Sequence, residues 1–172
     1  MSINKINNYY EKNKKYYSTL QTNIKNNING RICRSFHAMC CLDIIHQLNN
    51  DINYYLEIGV HNGASMSHIV SSNKKIICYG IDLFENTFGH YLNDNITMGN
   101  TLQNIKKNSN NKNNEIHLIK GNSFHSSTEL ELNSLLKNQI DLLFIDADHS
   151  YNGVKNDFDK YSKYINLSLT FI

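Results

Sequence analysis

Tyr54-Tyr55-Leu56-Glu57-Ile58-Gly59-Val60-His61-Asn62-Gly63 is the stretch on which the fold turns. It reads as a buried strand that runs into a tight glycine turn, with a helix starting near Ala64. A carboxylate at a strand end, followed by Gly two and six positions later, marks a ligand-binding turn rather than a plain connector. Sterics narrow the ligand. A dinucleotide turn is G-x-G-x-x-G, because its second Gly lets the backbone approach a pyrophosphate. Here that second place holds His61 and the third holds Ala64. A Cβ and an imidazole stand where phosphate would come close, which argues against NAD or FAD. No Gly-Lys-Ser/Thr follows, which excludes a Walker loop. Glu57-x-Gly59-x-x-x-Gly63 suits a ligand that carries an ammonium group and no phosphate, and S-adenosylmethionine (SAM) is of that kind.

The second strand, Lys75 to Leu83, has a near-continuous apolar run in Ile76, Ile77, Cys78 and Ile81, as suits a parallel strand covered on both faces. It ends in Asp82, 25 positions after Glu57. In dinucleotide folds an acidic residue at a spacing of about 20 grips the ribose diol. The competing reading is a strand-end Asp that caps the next segment. The third strand, Glu115 to Lys120, leads into Gly121-Asn122-Ser123, by itself a turn signal. The fourth, Asp141 to Ile145, ends in Asp146-Ala147-Asp148-His149. Two carboxylates and an imidazole there are not core residues. If the four strands are parallel, they share an edge with Glu57 and Asp82.

Helical periodicity fills the intervals. Residues 35–48 place Phe36, Met39, Cys40, Ile44 and Leu48 on one face, with Ser35 as cap; His37 and His46 read as solvated or packed side chains. Residues 64–72 use Met66, Ile69 and Val70, and residues 94–107 turn Met98, Leu102 and Ile105 inward. Residues 127–137 carry Leu130, Leu135 and Leu136. Ser150 caps a helix that buries Val154, Phe158, Tyr161 and Ile165. The aromatic loop Phe84 to Asn93 lies over the carboxyl edge of the sheet, as a pocket wall, a lid or a surface loop. Alternating strands and helices predict an α/β, Rossmann-like doubly wound parallel sheet of order 3-2-1-4, with a fifth strand beginning at Asn166.

Composition bounds the rest. A chain of 172 residues fits one core, and a net charge of +2 with dispersed Lys implies no nucleic-acid partner. Heavy use of Asn, Lys, Ile and Tyr reflects A/T-rich codons more than function. Cys33, Cys40, Cys41 and Cys78 form no C-x-x-C pair and read as reduced thiols rather than zinc ligands. No apolar run is long enough to span a membrane and no signal core opens the chain, so the expectation is a soluble cytoplasmic protein. Residues 1–34 read as a polar surface extension ahead of a domain over 35–172. Their Tyr9-Tyr10 and Tyr16-Tyr17 pairs offer a second reading, as a cover for the site mouth or a dimer seam.

The first motif, Glu57 to Gly63, resembles that of the class I SAM-dependent methyltransferases. The tract from Ile140 to Phe158, with Asp146-Ala-Asp148-His149-Ser-Tyr151-Asn-Gly153 at its centre, is similar to a small metal-dependent O-methyltransferase branch. That branch includes the cephalosporin-hydroxylase-like and macrocin-type enzymes. The similarity covers roughly Ser35 to Ile165. It implies SAM held by Glu57, Gly59, Gly63 and Asp82, with Asn122 and Ser123 beside the adenine. It also implies Asp146 as ligand to Mg2+ or another hard cation, and His149, with Asp148, as the groups that handle the acceptor's proton. The implied substrate is a small hydroxylated molecule, sugar-like in view of His90, Tyr91, His125 and His149. One departure stands out. The relatives add further metal ligands after strand five and then two more strands, which this sequence lacks. The resemblance therefore implies a truncated domain, with three readings open: a remnant that binds SAM weakly or not at all, a site completed in a homo-oligomer, or chemistry by His149 and Asp148 without metal. Two other classes remain beside it. Asp146-x-Asp148 after an apolar strand is also how a glycosyltransferase holds a divalent ion against a sugar nucleotide, and an inactive fold can serve as a binding module.

Overall fold

A computed structural model describes residues 2–28, 36–85 and 96–166. The chain forms helices α1 (Ile3–Lys12), α2 (Lys14–Asn27) and α3 (Phe36–Leu48), then strand β1 (Tyr54–Ile58) and helix α4 (Ala64–Val70). It continues through β2 (Ile77–Asp82), α5 (Met98–Lys107), β3 (Glu115–Lys120), α6 (Ser126–Leu135), β4 (Leu142–Ile145) and α7 (Tyr151–Tyr161). The four strands make one parallel sheet in the order β3-β2-β1-β4, as expected. Ile58 of β1 pairs with Ile81 of β2 and Ile145 of β4, so all three strands end level.

Both sheet faces are covered, which is why the strands are apolar at successive positions. One face carries Tyr55, Cys78 and Leu142, packed on Met66, Ile69 and Val70 of α4 and Ile105 of α5. The other carries Leu56, Ile58, Tyr79, Ile81 and Ile119, under Leu132 of α6 and Tyr161 of α7. At the opposite edge the buried Asp141 carboxylate accepts from the Asn53 and Tyr54 amides at 2.8 and 3.0 Å, and so sets the start of β1 beside β4. Ile140 forms a parallel bridge with Ile165. The rest of the expected fifth strand, 167–172, lies outside the described residues, as do Ser35 and Cys33.

The N-terminal segment corrects the expectation of a surface extension. Tyr17 and Ile24 are fully buried, and with Leu20 and Ile28 they share a core with Met39, Cys40 and Ile44 of α3 and Ala64 of α4. The Tyr17 hydroxyl donates to the buried Asp43 carboxylate at 2.8 Å, and Tyr10 stacks on Tyr17. The signal was present: positions 17, 20, 24 and 28 repeat at three and four, but dense Asn and Lys mask the stripe. Three predicted inward residues face out instead. Met98, Leu130 and Val154 are 41, 68 and 44 % exposed. In α7 the inward stripe is Gly153, Asp157 and Tyr161. Cys40, Cys41 and Cys78 are free thiols, and no helix among the described residues is long and apolar enough to cross a membrane.

Candidate functional site

The carboxyl ends of the strands bring the sequence-predicted residues to one edge. Side chains alternate between faces along a strand. Glu57 pairs with Gly80, so Asp82, two residues further along β2, lies on the same face as Glu57. The turn between β1 and α4 is shaped by two left-handed glycines, Gly59 at φ +92° and Gly63 at φ +86°. A Cβ on Gly59 would stand 2.5 Å from the Asp146 carbonyl oxygen and 2.7 Å from the Ala147 Cα. The turn after β1 therefore presses directly on the chain leaving β4. A Cβ on Gly63 would meet the Ile105 side chain at 2.6 Å. His61 also lies at positive φ, 52°, a conformation that costs a side-chain-bearing residue energy. It is held there from two sides. Its amide donates to Asp82 Oδ2 at 2.8 Å, and its carbonyl accepts from the Thr101 hydroxyl at 2.8 Å.

Glu57 is fully buried. Tyr55 donates to its Oε2 at 3.0 Å and the Ser65 hydroxyl donates to Oε1. Burial pushes its pKa up to about 8, against the lowering effect of those two hydrogen bonds, and the charges of Asp146 and Asp82 add to the rise. Charges at the end of β2 and just after β4 thus reach the buried Glu57 at this edge. Tyr55 and Ser65 went unnoticed in the sequence; the only trace is that Tyr55 shares a strand face with Glu57.

Asp82 does structural work as well. Its Oδ1 accepts from the Phe84 amide at 2.7 Å while Oδ2 takes the His61 amide. An ionised carboxylate offers about four lone-pair sites, so acceptor capacity remains for hydroxyl donors. The Gly121 amide donates to the Asp82 carbonyl at 2.9 Å and so carries the Asn122–Ser123 loop to the same edge. There Asn122 Oδ1 closes a turn onto the Phe124 amide at 2.9 Å. The Ser123 carbonyl accepts from the Tyr161 hydroxyl at 2.8 Å. Of the aromatic loop, Phe84 is buried at φ 47°. Residues 86–95, with His90 and Tyr91, are outside the described residues.

Asp146 and Asp148 part company. The Asp146 amide donates to the Ile58 carbonyl at 2.8 Å, and its side chain meets His149 Nε2 at 3.6 Å. Burial raises its pKa, opposed by His149 and His61. Asp148 instead accepts from the amide and hydroxyl of Ser150 at 2.9 and 3.0 Å, which lower its pKa. Ser150 in turn caps α7 by accepting from the Gly153 amide at 3.0 Å. A hard divalent cation needs several oxygen ligands. Among the described residues no group of three or more His, Cys, Asp or Glu is placed to hold a metal. Among the described residues, then, Asp146 stands without the further ligands that the expected Mg2+ would need.

A family model described as a methyltransferase domain matches residues 56–167. An uncharacterized protein, R132, of Acanthamoeba polyphaga mimivirus is 34% identical over 146 residues, covering 83% of this chain and 60% of its own length. Among solved structures, an O-methyltransferase from Bacillus cereus in complex with SAH superposes with a TM-score of 0.54 at 19% identity, covering 87% of this chain and 62% of that one. At that identity it speaks to the fold alone. The chain spans about three fifths of the length of these two proteins.

Proposed function

The chain belongs to the methyltransferase-domain family, and we propose that it binds SAM at the carboxyl edge of its sheet and transfers the methyl group to a hydroxyl of a small molecule. The observation that carries this reading is the convergence of Glu57 and Asp82 on one face of neighbouring strand ends, flanked by the Asn122–Ser123 loop. SAM, when bound, supplies an electrophilic methyl on a sulfonium. Glu57 is the counter-charge for the ligand's ammonium. With its pKa near 8 it is mostly protonated at neutral pH, so it gives up a proton as a cation seats. Asp82 accepts from the ribose hydroxyls on the lone pairs that His61 and Phe84 leave. Asn122 and Ser123 hydrogen-bond the edge of the base. His149, exposed and 3.6 Å from Asp146, takes the acceptor's proton, and the Asp146 carboxylate stabilises the resulting imidazolium. Asp148 acts one step back, by holding the first turn of α7. The remaining contribution is alignment of the acceptor oxygen behind the methyl carbon.

Calorimetry with SAM and S-adenosylhomocysteine (SAH) in two buffers of different ionisation enthalpy tests this. Binding should release a proton at pH 7 and tighten as pH rises toward about 8. Above that the ligand's own amine begins to lose its charge. Glu57→Gln and Asp82→Asn should each weaken binding by about tenfold or more. Undetectable binding to the wild type, or unchanged affinity in both variants, discards the assignment.

A further inference from the structure

Asp157 is a carboxyl group that the site as described does not use. It sits on the inward stripe of α7, fully buried, and neither of its oxygens meets a donor at full hydrogen-bond geometry, the Ser123 side chain being the donor that lies beside it. An apolar residue would fill that place at lower cost, because a buried polar group without a partner is destabilising by about 1–3 kcal/mol. Its surroundings point to one loop. One turn further on, Tyr161 donates to the Ser123 carbonyl at 2.8 Å, and Lys160 donates to the Phe124 carbonyl at 2.6 Å. One turn back, Gly153 lies so close to Asp148 that a Cβ would stand 2.5 Å from its Cγ. Successive turns of α7 thus grip the 121–125 loop on one side and the loop after β4 on the other, with Asp157 between the two grips.

We infer that Asp157 is a positioning residue: its carboxyl group engages the Ser123 hydroxyl and sets the Asn122–Ser123 loop for the ligand's base. The inference rests on the SAM reading for the ligand, but the loop-setting role does not. The polar and charged groups that face Asp157 are the Ser123 side chain from the β3–α6 loop, Asp148 from the β4–α7 loop, and Lys160 and Tyr161 from its own helix. Burial and, less strongly, Asp148 raise its pKa, while Ser123 and Lys160 oppose the rise. The carboxyl group can accept from the Ser123 hydroxyl, and so can the oxygen of a primary amide.

The test compares Asp157→Asn, which keeps a donor and an acceptor, with Asp157→Leu, which fills the space without either. Amide hydrogen exchange over residues 121–125 and SAH affinity are measured on the full chain, and thermal unfolding checks that each variant folds. The expected result is Asp157→Leu at least as stable as the wild type, with faster exchange confined to 121–125 and SAH bound about tenfold more weakly. Asp157→Asn should match the wild type in both readouts. Unchanged exchange in Asp157→Leu, or equal loss in both variants, overturns the inference. Faster 121–125 exchange in Asp157→Leu alone, in a chain that binds no SAH even as wild type, upholds the loop-setting role and sinks the cofactor reading instead.

Discussion

Substituting Gly59 by Ala tests the joint on which the site is built. Two costs add. At φ +92° a side-chain-bearing residue sits in left-handed backbone, worth roughly 1–2 kcal/mol. The new methyl also falls 2.5 Å from the Asp146 carbonyl oxygen, 2.6 Å from its carbon and 2.7 Å from the Ala147 Cα. These are backbone atoms, and they are tethered. The Asp146 amide is bonded to the Ile58 carbonyl at 2.8 Å and the Gly59 amide to the Ile81 carbonyl at 2.8 Å. Relief therefore requires the ends of β1 and β4 to separate, a forced overpacking of about 1–3 kcal/mol. The sum is about 2–5 kcal/mol, against a total stability of roughly 5–15 kcal/mol for a domain. Urea unfolding followed by circular dichroism should show the midpoint fall with little change in slope. The melting temperature should drop by roughly 4–20 °C. Gly99→Ala is the matched control. It lies in the first turn of α5, and the nearest atom to a Cβ there is 4.0 Å away. That variant should be neutral or gain up to about 1 kcal/mol. If the two variants unfold within about 0.5 kcal/mol of one another, the contact between the two turns is not what requires glycine at position 59.

Other outcomes follow from the same contacts. Burial raises the Asp43 pKa to about 6. A raised folded pKa contributes stability that is present below the unfolded carboxylate value and is lost as pH climbs through 6. Asp43→Asn should therefore flatten the stability–pH curve by about 2–3 kcal/mol between roughly pH 4 and 6. His46, lowered to about 4 by burial, tilts the curve the other way in both proteins and cancels in the difference. An unchanged slope counts against a buried, titrating Asp43. Tyr17→Phe removes the hydroxyl that serves Asp43 and should cost about 1–3 kcal/mol while unfolding remains a single transition. Wild-type stability in that variant would mean that the hydroxyl bond to Asp43 contributes nothing to holding α2 on α3. Ser150→Ala should cost about 1 kcal/mol as a lost helix cap. It should also raise the Asp148 pKa in part, because the backbone amide of residue 150, which lowers it most, stays while the hydroxyl that adds to the lowering is lost; a carboxyl titration by NMR that shows no rise contradicts the hydroxyl bond.

Much of the fold was legible because it depends on short-range repeats. Apolar runs at 54–58, 76–81 and 141–145, separated by helical periodicity, leave few arrangements open once crossovers are right-handed. The observed order β3-β2-β1-β4 is the one expected. The outward turn of Met98, Leu130 and Val154 was not legible, since the residues that truly face inward on those helices are mostly polar or small: Thr101, Asn104 and Ile105 on α5, Thr128 and Leu132 on α6, and Gly153, Asp157 and Tyr161 on α7. Nor was the packing of α1 and α2, where an apolar stripe is diluted by Asn and Lys until only its buried partners on α3 reveal it.

By itself the sequence determined that Glu57, Asp82, Ser123 and Asp146 end up at one edge, because parallel strands with like connections all deliver their carboxyl ends there. Only the tertiary structure decided what each of those groups is free to do. Asp82 gives two lone pairs to the His61 and Phe84 amides, Asp148 turns back to Ser150, and Glu57 is sealed beneath Tyr55 and Ser65. The physical reason is that periodicity is a property of neighbours along the chain. Desolvation and the occupancy of lone pairs depend on groups brought together through space, and for Asp157 and Ser123 those groups are 34 positions apart.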